Sequence, residues 1–372
     1  MRQSSCSRFL VILLLFGIGL TSVDEATASS RERKVIKKLK KENRALKRTA
    51  SELRISLANA LRPVPKPESF IEMVFVGDPG NPADPSDGDS STIETENFGS
   101  VPYLYSIGRY EVTLNQYSNF LNAVAASDPN DLWHNNLGTH PHIRGIIRSG
   151  SDGNFTYEVF GDGDRPVSNV SWFDAARFCN WLHNGRPSGP QGPMTTEDGT
   201  YSLNGASSGE FHRNWGARFW IPSENEWYKA AFYHPASDNG PSDSYWLYPT
   251  SSDSAPGHDR GNLPNQANIR TPGGFFAATG NSTTESVNYL FPAGTFSASA
   301  SYYGTFDQAG NLEEWNDSVL DDGDLKRGKR GGSWFNGDEG IQSNRRTFTT
   351  PDTQGNVIGF RVAGTEWASE FN

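Results

Sequence analysis

The chain has 372 residues, a formal charge of −10 at pH 7, 35% hydrophobic residues and 12% aromatic ones. That length suits one large domain or two ordinary ones, and the aromatic- and Gly-rich composition excludes a disordered chain. The two cysteines, Cys6 and Cys179, lie in different kinds of segment, which excludes a disulfide scaffold.

Residues 1–28 read as a secretory signal peptide. Arg2 and Arg8 precede the apolar run FLVILLLFGIGL (9–20), which is too short to span a bilayer comfortably, and ATA (26–28) offers a cleavage site. An uncleaved membrane anchor is the alternative. Either way the chain is expected to be exported: periplasmic, extracellular or at the cell surface.

Residues 29–62 read as a basic coiled-coil helix. Ile36, Asn43, Ala50 and Leu57 fall at heptad position a, and Leu39, Leu46, Leu53 and Ala60 at d. The pattern predicts a homo-oligomer assembled through residues 31–61, with an amphipathic helix on an anionic surface as the alternative. Residues 63–69 form a Pro-rich linker. Residues 29–66 hold 13 Lys/Arg against 3 Asp/Glu, and residues 1–28 balance, so a total of −10 leaves the rest of the chain near −20. An acidic, exported domain disfavours nucleic acid and favours cations such as Ca²⁺.

From residue 70 to 366 the pattern is α+β with little regular secondary structure. Three helices announce themselves by capping boxes: Thr113 with Gln116, Ser171 with Asp174, and Ser223 with Glu226. Cys179 lies among the apolar residues of the second helix and reads as a buried structural thiol. KRGGSWF (329–335) and IGFRVAG (358–364) read as buried strands.

Two stretches could carry chemistry. FDQAGNLEEWND (306–317) crowds Asp307, Asn311, Glu313, Glu314, Asn316 and Asp317 around one glycine. Irregular backbone leaves buried amides and carbonyls in need of partners, and Ca²⁺ collects carbonyls with carboxylates. Turn chemistry without a metal explains the stretch as well. HNNLGTHPH (134–142) places His134, His140 and His142 close enough in sequence to bind Zn²⁺ or Fe²⁺, although a polar insertion fits better.

GRYEVTLNQYSNFLNAV, PVSNVSWFDAARFCNWL, RFWIPSENEWYKAA, YGTFDQAGNLEEW, RGGSW and GFRVA, in that order, resemble the formylglycine-generating enzyme (sulfatase-modifying factor) family over roughly residues 70–366. The resemblance implies a single domain related to the C-type-lectin-like fold. It implies an oxidase that converts a sulfatase cysteine to formylglycine with O₂ and copper held by two cysteines. Those cysteines would fall at Asn336 and near Ile341, and no cysteine occurs after Cys179. Asn cannot replace a thiolate on Cu(I), so no copper is expected.

The family's calcium positions match better. One set falls on Asp307, Gly310, Leu312 and Glu314, the other on Asn268, Ile269, Glu285 and Val287, while Glu313 is expected to be solvated. Two functions follow. The first is a secreted, calcium-stabilised, oligomeric module binding a peptide or glycan in a groove at Ser333, Trp334 and Asn336. The alternative is an active family enzyme, either a maturation factor acting on a sulfatase-like protein or a non-haem iron oxidoreductase, with other catalytic residues.

Overall fold

The computed structural model describes residues 70–85, 97–260, 262–278, 287–321 and 324–365, together with Lys34, Lys37 and Lys38. The chain divides into two compact units, Met1–Glu68 and Ser69–Asn372. In the first, Lys34, Lys37 and Lys38 are exposed and helical. The signal peptide, the a and d residues of the heptads and the whole linker lie outside the described residues.

The second unit is mixed α/β with few helices. Its elements are β1 (Met73–Val76), β2 (Tyr105–Gly108), α1 (Leu114–Val124), α2 (Asn136–Thr139), β3 (Ile146–Ser149), β4 (Thr156–Val159) and α3 (Trp172–His183). There follow β5 (Phe219–Trp220), α4 (Glu224–Phe232), β6 (Glu313–Asp321), β7 (Leu325–Arg330), β8 (Thr347–Thr349), β9 (Ile358–Gly359) and β10 (Ala363–Gly364). They form sheets of order β1-β2-β10-β5, β3-β4 and β8-β7-β6-β9. Among the described residues no helix is long and apolar enough to cross a membrane.

Each long helix starts where the sequence predicts. Thr113, Ser171 and Ser223 each accept a backbone N–H three residues on, and Gln116, Asp174 and Glu226 reach back to the cap. These reciprocal bonds satisfy donors that every helix start leaves free. The apolar faces of α1 and α3 then meet in the main core, where Phe120 and Phe178 pack edge to face at 5.4 Å. Cys179 is buried in that core, and burial pushes its thiol well above the usual range. It is inert as a nucleophile at neutral pH.

Two predicted strands are shorter than expected. β7 stops at Arg330 because Gly331 and Gly332 take φ of 92° and 59°, which turn the chain away from the sheet. The stretch 358–364 is split into β9 and β10, which join different sheets. Around that interruption sit the residues of the candidate site.

Candidate functional site

The turn before β6 depends on left-handed backbone. Asp307, Gly310 and Asn311 have φ of 61°, 81° and 60°. At Gly310 a Cβ would stand 2.2 Å from the Asn268 carbonyl oxygen, so only glycine fits. Asn311 is the hub. Its backbone N–H donates to the Asn268 carbonyl at 3.0 Å. Its side-chain oxygen accepts from Asn268 Nδ2 at 2.8 Å and from the Phe291 N–H at 3.1 Å. Its Nδ2 donates to Glu111 Oε2 at 2.9 Å. Asn268, predicted for one cation site, is thus tied to the turn that carries Asp307, predicted for the other.

Charge gathers beneath this turn. Glu111 and Glu314 are buried around Arg361, and the half-buried Asp307 lies close enough to act on both. Arg361 donates to Glu314 through Nε at 2.6 Å and a terminal nitrogen at 2.7 Å, and Trp227 Nε1 donates to the same carboxylate at 2.7 Å. Asp307 accepts from the Gly294 N–H at 2.8 Å. Burial pushes Asp307 up to about 6; the Gly294 N–H and Arg361 oppose the shift and Glu314 adds to it. Glu111 is pushed well above the usual carboxylate range, by burial first and then by Glu314 and Asp307. Three carboxylates around one guanidinium leave negative charge that a cation or a proton must balance.

The predicted calcium residues therefore fit a cation in part. Asp307 fits, as a half-buried carboxylate accepting one N–H. Glu314 is drawn to Arg361 and Trp227 instead. Among the described residues no three His, Cys, Asp or Glu side chains are arranged as a metal cage, so a cation here would rely on carbonyls such as those of Gly310 and Leu312. Of the second set, Asn268 spends its amide on Tyr289 O and Asn311, Ile269 is buried, and Val287 packs against the cluster containing Trp334. Glu285 lies outside the described residues.

Glu313 corrects the expectation of a solvated side chain. It is buried, accepts from Lys329 Nζ at 2.7 Å across the β6–β7 pair, and accepts from Thr347. The sequence reading also missed Glu111 and Arg361. The signal was an ionisable residue inside each of the apolar stretches YEVT and GFRVA, a placement that requires a buried partner.

The groove loop hangs from the same hub. The Trp334 N–H donates to the Asn311 carbonyl at 2.9 Å, and the Arg270 N–H to the Asn336 carbonyl at 2.8 Å. Asn336 Oδ1 accepts from the Ser333 N–H at 2.9 Å and from Ser333 Oγ at 2.8 Å. Ile341 is fully buried with Tyr248, Ala267, Ile269 and Ala309. A locked amide and a packed aliphatic side chain stand at and near the positions that the resemblance gives to the two cysteines. They offer no soft ligand, so copper does not fit.

The histidines do not converge. His140 Nδ1 accepts from the His142 N–H, His134 Nδ1 accepts from the Asn136 N–H, and the His140 and His142 rings are 5.9 Å apart. His142 instead stacks on Tyr289 at 4.4 Å.

This arrangement of capped helices, a glycine turn and an RGGSW loop is that of a sulfatase-modifying-factor type of domain. The profile of the Sulfatase-modifying factor enzyme 1-like domain matches residues 89–366, and the chain belongs to that family. A curated relative, the mouse (Mus musculus) protein named inactive C-alpha-formylglycine-generating enzyme 2, is 26% identical over 204 residues, which are 53% of this chain and 48% of that protein. The chain thus spans about half the length of that relative. Among solved structures, CarF is 20% identical with a TM-score of 0.45, covering 79% of this chain and 98% of its own. PvdO from Pseudomonas aeruginosa is 19% identical with a TM-score of 0.41, covering 79% and 94%.

Proposed function

We propose that this chain is an exported, oligomeric binding module that keeps the family's fold without its copper oxidase chemistry. One observation carries the reading. Asn336 and Ile341 replace the thiolates, and both are absorbed into the protein's own packing. The name of the mouse relative, which calls that protein inactive, agrees. The groove beside Ser333, Trp334 and Asn336 takes a peptide or glycan segment, and the basic heptads at residues 31–61 add avidity by joining copies. Calcium braces the Asp307 turn that holds the groove loop, with Asp307 and the Gly310 and Leu312 carbonyls as its donors.

The test is direct. The protein is incubated with copper and a cysteine-containing sulfatase peptide, and the peptide mass is followed. No aldehyde is expected. Aldehyde formation with bound copper would overturn the reading. In parallel, retention on peptide or glycan arrays is expected for the unaltered protein and lost in Asn336→Ala.

A further inference from the structure

Near the residues assigned to the groove, two buried ring nitrogens lack hydrogen-bond partners. Trp334 is 5% exposed, yet its Nε1 has no partner. His142 Nδ1 is also buried without one. Buried polar atoms nearly always find a partner, so two orphans on one aromatic cluster point to a missing partner, an acceptor in the case of the Trp334 N–H. The cluster is continuous. Tyr289 has its two faces taken by His142 at 4.4 Å and Phe276 at 4.7 Å, and Trp334 packs edge-on against Tyr289 at 5.1 Å and against Phe276 at 5.2 Å.

Positive charge sits at the rim. The Arg270 guanidinium lies 5.5 Å from the centre of the Phe335 ring, with no carboxylate paired to it among the described residues. Phe335 is 50% exposed. The Arg270 N–H is bonded to the Asn336 carbonyl, which places the two residues side by side. Asn336 spends its side-chain oxygen on Ser333, which leaves its Nδ2 as a further donor. Arg270 and Asn336 thus offer a charged and a neutral donor beside the exposed Phe335, with the orphaned Trp334 N–H buried in the cluster behind them, on a domain whose overall charge is strongly negative.

We propose that this surface binds an acidic peptide, with a ligand carboxylate held by Arg270 and Asn336 and an adjoining apolar side chain resting on Phe335 and Phe276. The inference rests on the binding reading above and adds its ligand chemistry. A carboxylate matches the guanidinium in charge and supplies the acceptors that the neutral donors lack. A peptide is favoured over a sugar because sugar stacking needs an open aromatic face. Tyr289 offers none, and the Phe335 face is shared with the guanidinium, whereas an aliphatic side chain needs only the exposed edge of that ring.

The test is fluorescence anisotropy of the full-length protein with short labelled peptides carrying adjacent Glu and Leu residues, beside the same peptides with Gln for Glu. The Glu peptides are expected to bind. Arg270→Gln is expected to weaken them about tenfold or more, as loss of a charged hydrogen bond implies, while Arg270→Lys retains part of the affinity. Trp334→Phe removes the N–H together with part of the ring, so weakening there with an unchanged far-ultraviolet circular dichroism spectrum and an unchanged melting temperature speaks for the orphan donor. Equal binding of Glu and Gln peptides, or no effect of Arg270→Gln, overturns the carboxylate assignment. If the Gln peptides still bind and Asn336→Ala abolishes it, the groove stands and only its ligand chemistry falls. Binding of a uronic-acid oligosaccharide in place of every peptide overturns the peptide assignment. Failure of all probes sinks both readings.

Discussion

Arg361 and Glu314 are both fully buried and face each other through two hydrogen bonds of 2.6 and 2.7 Å. Burial pulls the Arg361 guanidinium down, but Glu314, Glu111 and Asp307 outweigh it and raise it above its ordinary value. The pair also closes the core between the stretch around β10 and the start of β6, since Arg361 donates to the carbonyls of Gly108 and Phe306 as well. Removing the guanidinium leaves three carboxylates without their cation. Arg361→Met is therefore expected to cost about 3–5 kcal/mol, the usual penalty for orphaning one partner of a buried pair. Glu314→Gln is expected to cost less, because Asp307 and Glu111 still face the arginine. Denaturant midpoints of the two variants check the order, and equal losses would contradict the charge imbalance.

A second carboxylate sets a pH dependence. Asp317 is pushed up to about 7 by burial; Arg327 opposes the shift, Glu226 adds to it, Arg213 opposes it and Glu210 adds to it. Its unfolded value is about 3.9. The folded state therefore holds this proton more tightly, so its contribution to stability is fully present below about pH 4 and is lost as pH rises through 7. Asp317→Asn removes the titration. The variant's stability relative to the unaltered protein is expected to be greater at pH 8 than at pH 5. A parallel pair of pH profiles would rule out Asp317 as the source.

What could be read from the sequence was local. Thr113, Ser171 and Ser223 each find their capping partner three residues away, so the helix starts were legible. The ends of the strands were not. KRGGSWF carries strand-forming side chains, but the left-handed turns at Gly331 and Gly332 end the pairing at Arg330. Long-range charge pairing was also hidden. Nothing near Glu313 identified Lys329 as its partner, and nothing near Glu314 identified Arg361, because each pairing depends on how the sheets assemble. At the candidate site the motif spacing located Asn336 and Asp307. Arg270 came to lie beside Phe335, and His142 against Tyr289, only through folding.

Gly310 provides a steric test of the hub. Its φ of 81° disfavours any side chain, and an added Cβ would meet the Asn268 carbonyl oxygen at 2.2 Å. The obstacle is backbone, which cannot swing aside as a flexible side chain would. Gly310→Ala is expected to destabilise the domain by at least about 2 kcal/mol, more than the left-handed conformation alone would cost at its midpoint. Gly274 also has a positive φ, 81°, but nothing within 4 Å of an added Cβ. Gly274→Ala is therefore expected to lose only the conformational part, about 1 kcal/mol. Thermal unfolding of both variants separates the two contributions.

The cation at Asp307 is tested by linkage. A ligand that binds only the folded state stabilises it by an amount that grows with its concentration, about 2.7 kcal/mol at a hundred times its Kd. Added calcium is thus expected to raise the melting temperature of metal-stripped protein, and a chelator to lower it again. Asp307→Ala is expected to abolish the response, because Asp307 is the one predicted carboxylate donor here that is not already paired with Arg361. Glu314→Gln is expected to leave most of the response in place, since Arg361 and Trp227 already hold that side chain. The opposite ranking would put Glu314 on the metal and require the Arg361 pair to open when calcium binds. A melting temperature indifferent to calcium in the unaltered protein would leave the three carboxylates balanced by Arg361 and protons alone.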